Sequence, residues 1–272
     1  MDDLAPRLGH DPGTRLVIVT ADEMGTTHAA TVGAYTALRD GVATSAGLVM
    51  PGPWSRHAAR LYRGDDIGVH LTLNAELECF RWGPLTAAPS LLDGDGGFPR
   101  TLDDLWDHAD VDEVRRECRA QIERAILWGF DITHLSSHRG ALQNRPEFFD
   151  VLLELACDFD LPLRLDGDEA EDAVGFPFRR LAREAGILAP DRVVAGRGTD
   201  PADLVAALAP GVTEVLFAPA VDSDEGRAAD PRAQARVEDL HLLTAPTLSR
   251  ALAEAGVVVI GYRRLRDAQR RR

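Results

Sequence analysis

The chain has 272 residues, of which 45% are hydrophobic and 27% are charged, so it is long enough to bury the core of one large α/β domain. Its formal net charge of −14 argues against a nucleic-acid-binding surface, because phosphate recognition needs clustered positive charge. All 30 basic residues are arginine, which excludes Schiff-base chemistry on a lysine and a Walker A phosphate loop.

Short β-branched runs alternate with helical patterns along the chain. The predicted strands cover residues 16–20, 44–50, 66–73, 132–135, 162–165, 192–195, 213–218 and 257–262. The predicted helices cover about 27–40, 54–62, 110–128, 146–159, 178–185, 202–208, 231–243 and 247–255. Eight strands separated by helices favour parallel pairing, since consecutive parallel strands need a crossover. We therefore predict a single (β/α) barrel domain over residues 15–263, of irregular shape, with an open doubly wound sheet as the alternative.

Three segments depart from this alternation. Residues 1–14 are polar, lack the features of a secretory signal, and are predicted to be flexible. Residues 74–110 are rich in Gly and Pro and are predicted to form a long loop, either a lid or substrate wall or an insertion without a role. The Arg-rich residues 264–272 are expected to be a solvated tail or a weak anion site.

Neither targeting nor cross-linking is indicated by the sequence. No stretch of about 18 apolar residues predicts a membrane span. Cys79, Cys118 and Cys157 are too few and too far apart for a disulfide framework or a CxxC metal clip. We therefore expect a cytoplasmic location and no membrane or nucleic-acid partner.

Polar side chains follow three of the predicted strands. Asp22 and Glu23 come after the first strand, His70 ends the third, and His134 and His138 lie in and just after the fourth. Because ligands of parallel α/β folds bind at the carboxyl ends of the strands, these residues are expected to lie close together at that end of the sheet, which is called the mouth below. Two imidazoles and a carboxylate suit a catalytic divalent metal, and a second carboxylate suits a general base.

Each residue also has a plainer interpretation when taken alone. Asp22 and Glu23 suit a helix-capping pair, and His70 and His138 suit buried, hydrogen-bonded histidines. His134 lies inside its strand and is expected to face the core or to back the site. The remaining histidines show no shared location in the sequence and are interpreted as structural: His10, His28, His57, His108 and His241.

Five blocks of the sequence, in order, resemble the YdjC-like carbohydrate deacetylases. They are VTADEMGTTHAATVGAYTALRDGVATSAGLVMPGPWSRHA from residue 19, IGVHLTL (67–73), SLLDGDGGFP (90–99), EVRRECRAQIERAILWGFDITHLSSH (113–138) and RVEDLHLL (236–243). A lone VHL or SH would be a weak signal, whereas five ordered blocks cover most of the chain.

The resemblance implies a deformed (β/α) barrel that removes an N-acetyl group from a sugar or glycoside with one divalent metal, zinc or magnesium. It places Asp22 at the position of the general base. It places Glu23, His70 and His138 at the positions of the metal ligands. Whether the chain forms a homodimer is left open.

Three positions depart from the family pattern. Position 23 is Glu where Asp is usual, Ser136 stands where Asp is usual, and Ala218 stands where a late histidine is found. The longer carboxylate changes the reach of a ligand, and Ala218 can neither donate a proton nor bind an oxyanion. The alternative function is therefore an altered or inactive family member that binds a sugar or a specialised metabolite.

Four further residues are predicted to lie behind the site or to contact substrate. They are His134, Arg139, Trp82 and Arg236. Trp82 belongs to a loop whose aromatic side chains suit either a sugar-binding wall or ordinary packing. Arg139 suits an acidic substrate group, and Arg236 suits a structural salt bridge.

Overall fold

A computed structural model describes residues 4–271, and this part of the chain contains seven strands in one parallel sheet. The strands are β1 (Arg15–Met24), β2 (Ser45–Leu48), β3 (Ile67–Leu71), β4 (Ile132–Ser137), β5 (Arg192–Ala195), β6 (Gly211–Phe217) and β7 (Val258–Ile260). The sheet order is β4-β3-β2-β1-β6-β5. β7 pairs with the first half of β1 through Leu16–Ile18, and β2 pairs with its second half. The sheet curls into a half-barrel, and the predicted irregular (β/α) barrel class is confirmed.

The helices pack around this sheet, and most of their bounds lie within two residues of the prediction. They are α1 (His28–Asp40), α2 (Ser55–Leu61), α3 (Leu102–His108), α4 (Val111–Leu127), α5 (Pro146–Asp158), α6 (Asp168–Val174), α7 (Phe178–Glu184), α8 (Pro201–Ala206), α9 (Asp224–Ala229), α10 (Ala233–Thr244), α11 (Pro246–Glu254) and α12 (Tyr262–Gln269). Side-chain caps define where α1 and α4 begin. The Thr27 side chain accepts a hydrogen bond from Ala30 N, and the Asp110 side chain accepts hydrogen bonds from the first-turn amides of α4. Among residues 4–271, none of the helices is long and apolar enough to cross a membrane.

The predicted strand at 162–165 is wrong as an element. Only Leu163 bridges β4, at Leu135, while its amide bonds to Leu188 O at 2.9 Å. Pro162 has no N–H to donate, so regular pairing cannot extend through it. The segment nevertheless brings Arg164 into the interior of the barrel, where the side chain is 7% exposed.

The prediction for residues 74–110 missed one helix. The segment contains α3, which begins after Thr101, whose side chain accepts from Asp104 N. The Gly and Pro residues before it dominated the sequence pattern, although a Thr followed by acidic residues is itself a helix-start signal.

Both predicted terminal segments contain residues that pack against the barrel. A short 3₁₀ helix spans Pro6–Leu8, and Leu4, Ala5 and Leu8 join a small apolar cluster with Leu265. Residues 264–269 of the predicted Arg-rich tail belong to α12, where Arg266 is buried and donates to Ile132 O at 2.9 Å. These parts of 1–14 and 264–272 pack in this way because their apolar side chains have a core to join.

Candidate active site

β1 runs four residues beyond its predicted end and carries both acidic residues within the strand. Its pairing with β2 shifts register between Ala21 and Met24, which marks a β-bulge. Within the bulge Glu23 has a φ of 62°, in the left-handed region that non-glycine residues rarely adopt. The bulge redirects the side chains of Asp22 and Glu23 at the carboxyl end of the sheet.

Asp22 is buried and points towards β2 and β3. Gly47 makes room for it, since a Cβ there would overlap the Asp22 carboxylate. Arg164 Nη2 lies 2.8 Å from Asp22 Oδ2, whereas Oδ1 is buried with no hydrogen-bond partner in the described structure. Burial opposes ionisation, but Arg164 and His70 outweigh it, so the pKa of Asp22 lies below its ordinary value. The result is an ionised carboxylate with one oxygen free to accept a proton.

His70 and Ser136 are cross-strand partners on β3 and β4. His70 Nδ1 lies 2.7 Å from Ser136 Oγ, 2.9 Å from Arg164 Nη2 and 3.7 Å from Asp22 Oδ1. Burial of the ring lowers the pKa of His70 to about 3, although Asp22 favours the charged form. The imidazole is therefore neutral at physiological pH, as a metal ligand must be.

His138 follows β4 and faces His70. Its Nδ1 lies 3.1 Å from His70 Nε2, and its Nε2 lies 3.0 Å from Glu76 Oε2. Burial would raise the pKa of Glu76, but the hydrogen bond from His138 lowers it below the ordinary value. Each ring thus has one nitrogen directed at the other ring and one held by an outer polar group.

Glu23 lies on the opposite side of the mouth, within an arginine cluster. Its Oε2 forms an ion pair with Arg236, and Arg232 Nη2 lies 3.5 Å away. Arg236 is itself anchored by Asp230, with Nε 2.7 Å from Oδ2, and donates to Ala218 O. Burial opposes ionisation of Glu23, yet Arg236, His138 and Arg232 hold its pKa far below the ordinary value.

The donor chemistry of this site suits a divalent metal, although its three expected ligands do not converge. Two nitrogen ligands at about 2.1 Å from one ion lie roughly 3.0–3.4 Å apart, which matches the spacing between the two rings. The Glu23 carboxylate is instead engaged by Arg236. Within residues 4–271, no three His, Cys, Asp or Glu side chains are grouped closely enough to hold an ion.

The sequence interpretation missed Arg164, Glu76 and Glu214. Arg164 lies between Asp22 and Glu214, with its Nη1 3.7 Å from Glu214 Oε1. Glu214 Oε1 also accepts a hydrogen bond from Thr20 Oγ1 at 2.6 Å. A charged residue within an apolar strand pattern signals an inward-facing polar group, and both Arg164 and Glu214 show that signal. Glu76 lies in the long loop, where no periodic pattern indicates direction.

The other predicted site residues lie around this centre. His134 is fully buried and stacks on Tyr262 at 3.8 Å between ring centroids, and no hydrogen bond links it to His70 or His138 in the described part of the chain. Arg139 is half-exposed, with Nη1 3.5 Å from Glu76 Oε1. Trp82 is only 5% exposed and donates to Asn74 O, so the alternative of ordinary packing describes this ring better than an exposed sugar-binding wall does.

A narrow cavity lies beside Glu23. Its volume, measured as the space open to the centre of a water-sized sphere, is about 20 Å³. Its lining is mostly apolar and includes Thr27, Leu77, Trp82, Ala220 and Arg236. The cavity therefore holds about one water molecule, which is close to the size of a methyl group.

Two histidines interpreted as unrelated do share a location. The rings of His28 and His57 lie 5.5 Å apart, and Trp54 contacts both, at 4.9 Å and 5.6 Å between centroids. Residues of α1 and α2 that are distant in sequence meet here because β1 and β2 are adjacent. The expectation that these histidines lack a shared location is therefore corrected.

Comparison with known proteins agrees with this architecture. A family model described as YdjC-like protein matches residues 16–254. The carbohydrate deacetylase of Thermus thermophilus is 37% identical over 264 residues, which cover 93% of this chain and 94% of the relative. The chitooligosaccharide deacetylase of Serratia marcescens is 30% identical over 269 residues, or 92% and 99% of the two chains.

A solved structure gives the same result at the level of the fold. A crystal structure from Enterococcus faecalis, described as that of a candidate cellobiose-phosphate cleavage protein, superposes with a TM-score of 0.78 at 25% identity. The match covers 92% of this chain and 98% of that one. On the family model and these relatives together, the chain belongs to the YdjC-like family.

Proposed function

We propose that this protein hydrolyses the N-acetyl group of a sugar or glycoside, giving acetate and the free amino sugar. The observation that carries the proposal is the buried, ionised Asp22, whose Oδ1 has no hydrogen-bond partner in the described residues and lies 3.7 Å from Nδ1 of His70. The relatives named carbohydrate and chitooligosaccharide deacetylases support the same chemistry.

In this reaction Asp22 is the general base. Its free Oδ1 accepts a proton from the attacking water, while Arg164 holds Oδ2 and keeps the carboxylate ionised. The water oxygen bonds to the acyl carbon and the carbonyl π bond opens, which gives a tetrahedral intermediate. Collapse of the intermediate breaks the C–N bond, and the proton taken by Asp22 is available to the departing amine.

A divalent metal is part of this proposal, with His70 Nε2 and His138 Nδ1 as two ligands and Glu23 as the third. When bound, such a metal supplies Lewis acidity that activates water and polarises a carbonyl. Glu23 reaches the histidines only after its carboxylate turns away from Arg236. The small apolar cavity beside Glu23 is suited to the acetyl methyl group.

A second function, sugar binding without hydrolysis, is favoured by the Glu23–Arg236 ion pair together with Ala218. The ion pair neutralises one expected ligand, and Ala218 offers no proton donor at the end of β6.

Elemental analysis of the purified protein, combined with calorimetric titration with an N-acetylated sugar, separates the two functions. The hydrolase account predicts about one metal per chain, lost in the His70→Ala/His138→Ala variant, and heat from turnover as well as binding. If every preparation binds the sugar but contains no metal and releases no acetate, the function as a sugar-binding protein is supported instead.

A further inference from the structure

The hydrogen bonds around the two histidines run in one direction. Glu76 is ionised and can only accept, so His138 Nε2, at 3.0 Å, must carry a proton. The other ring nitrogen of His138, Nδ1, faces His70 Nε2 at 3.1 Å.

Arg164 fixes the direction of the hydrogen bonds at the other end of this series, which runs from Arg164 through His70 and His138 to Glu76. A guanidinium group has no acceptor, so His70 Nδ1, 2.9 Å from Arg164 Nη2, must accept rather than donate. Only Nε2 of His70 can then carry a proton, and it donates to His138 Nδ1 at 3.1 Å, which leaves Nε2 of His138 to donate to Glu76. Along this series Arg164 Nη2 donates to His70, His70 donates to His138 and His138 donates to Glu76.

We infer that Arg164 holds metal-free His70 in the tautomer with its proton on Nε2, and that Arg164 therefore competes with a metal for this ring. The hydroxyl of Ser136 allows this arrangement. Ser136 Oγ lies 2.7 Å from Nδ1 and can donate or accept, so it does not oppose the donation from Arg164. Ligation through Nε2 requires the proton to move to Nδ1, where it would face the Arg164 N–H. The metal part of this inference rests on the proposed function, whereas the tautomer does not.

A carboxylate at position 136 reverses this preference. It would accept a proton from His70 Nδ1 and also pair with Arg164, which leaves the Nε2 lone pair for a metal. Outer carboxylates of this kind typically change metal affinity by about 10–100-fold. Ser136 is therefore a positioning residue that acts on the metal through His70.

The first test is ¹⁵N NMR of the metal-free protein labelled at histidine, with the His70 signals assigned by comparison with His70→Asn. The expected result is a protonated Nε2 and an unprotonated Nδ1 on His70. A protonated Nδ1 on His70 would overturn the inference, whatever the activity of the protein.

The second test is calorimetric titration with Zn²⁺ alone of wild type, Ser136→Asp and the matched Ser136→Ala. The Ser136→Asp substitution is expected to tighten zinc binding about 10–100-fold over wild type, and the Ser136→Ala substitution is not. Equal zinc affinities in these two variants would contradict the competition. If Ser136→Asp does not fold, the NMR result on wild type alone decides the tautomer. If no variant binds zinc, that result counts against the metal in the proposed function only, and the NMR result again decides the tautomer.

Discussion

The two sides of the candidate site differ in how their polar groups are satisfied. On the β3–β4 side, called the open side below, one nitrogen of His70 faces one nitrogen of His138 in a hydrogen bond, and Ser136, Arg164 and Glu76 hold the other two nitrogens. On the β1–β6 side, called the closed side below, Glu23 is neutralised by arginines that are tied to Asp230. Breaking the single His70–His138 hydrogen bond would free two ring nitrogens for a ligand, whereas Glu23 is held by ion pairs to two arginines. Glu23 and Ala218, two of the three departures from the family pattern, lie on the closed side.

Asp22 stands between these sides, and its removal should have the largest effect. Asp22→Asn keeps the shape but cannot accept the proton of water, so we expect the rate of acetate release to fall by about 10²–10⁴-fold. Steady-state kinetics measures this, with the thermal midpoint as a check on folding. Full activity in the variant would rule out Asp22 as the base.

The closed side should matter most for stability. Arg236→Met removes the nearest cation from the buried carboxylates of Glu23 and Asp230 and leaves only the partly exposed Arg232 beside them, so we expect a loss of about 3–5 kcal/mol in the free energy of unfolding. The control is Arg227→Met, which breaks an exposed pair with Asp222 and Asp224 and should change the free energy of unfolding far less, because water screens that pair. Equal urea midpoints for the two variants would show that the Glu23 cluster does not stabilise the fold.

The open side should matter for metal affinity. Glu76→Gln removes the carboxylate that orients His138, and we expect zinc binding to weaken by about 10–100-fold. Glu78→Gln is the matched control, because Glu78 is two residues away but exposed and paired with Arg100. If both variants bind zinc equally well, Glu76 does not support a ligand.

The burial of neutral His70 should appear as a pH dependence of stability. Its folded pKa of about 3 is below the unfolded value near 6.5, so the unfolded chain binds the extra proton between these pH values. Stability is therefore full above about pH 6.5 and falls as the pH decreases, by up to about 1.4 kcal/mol per pH unit. Urea unfolding of His70→Asn should show a shallower slope from pH 6.5 to 4.5, whereas exposed His108→Asn should keep it. An unchanged slope in His70→Asn would contradict the buried neutral ring.

The sequence predicted those parts of the molecule that depend on local patterns. The positions of β1, β3 and β4 along the chain followed from continuous apolar runs, although β1 extends four residues beyond its predicted end. These positions brought Asp22, His70 and His138 to the carboxyl end of the sheet. The positions of Arg164 and Glu76 depend on how irregular segments cross the mouth, which no periodicity encodes. The Glu23–Arg236 pair joins residues 213 apart in the chain and forms because α10, which carries Arg236, packs against α1 beside β1.

The central claim is that this site releases acetate from an N-acetylated sugar. The most direct measurement is acetate and free amine produced from an N-acetylated chitooligosaccharide by the full chain, with zinc, with magnesium and after chelation. The account predicts that acetate and free amine form in equal amounts with zinc, with magnesium or with both, and that both amounts decrease markedly after chelation. Tight sugar binding with neither product under any of the three conditions would contradict it.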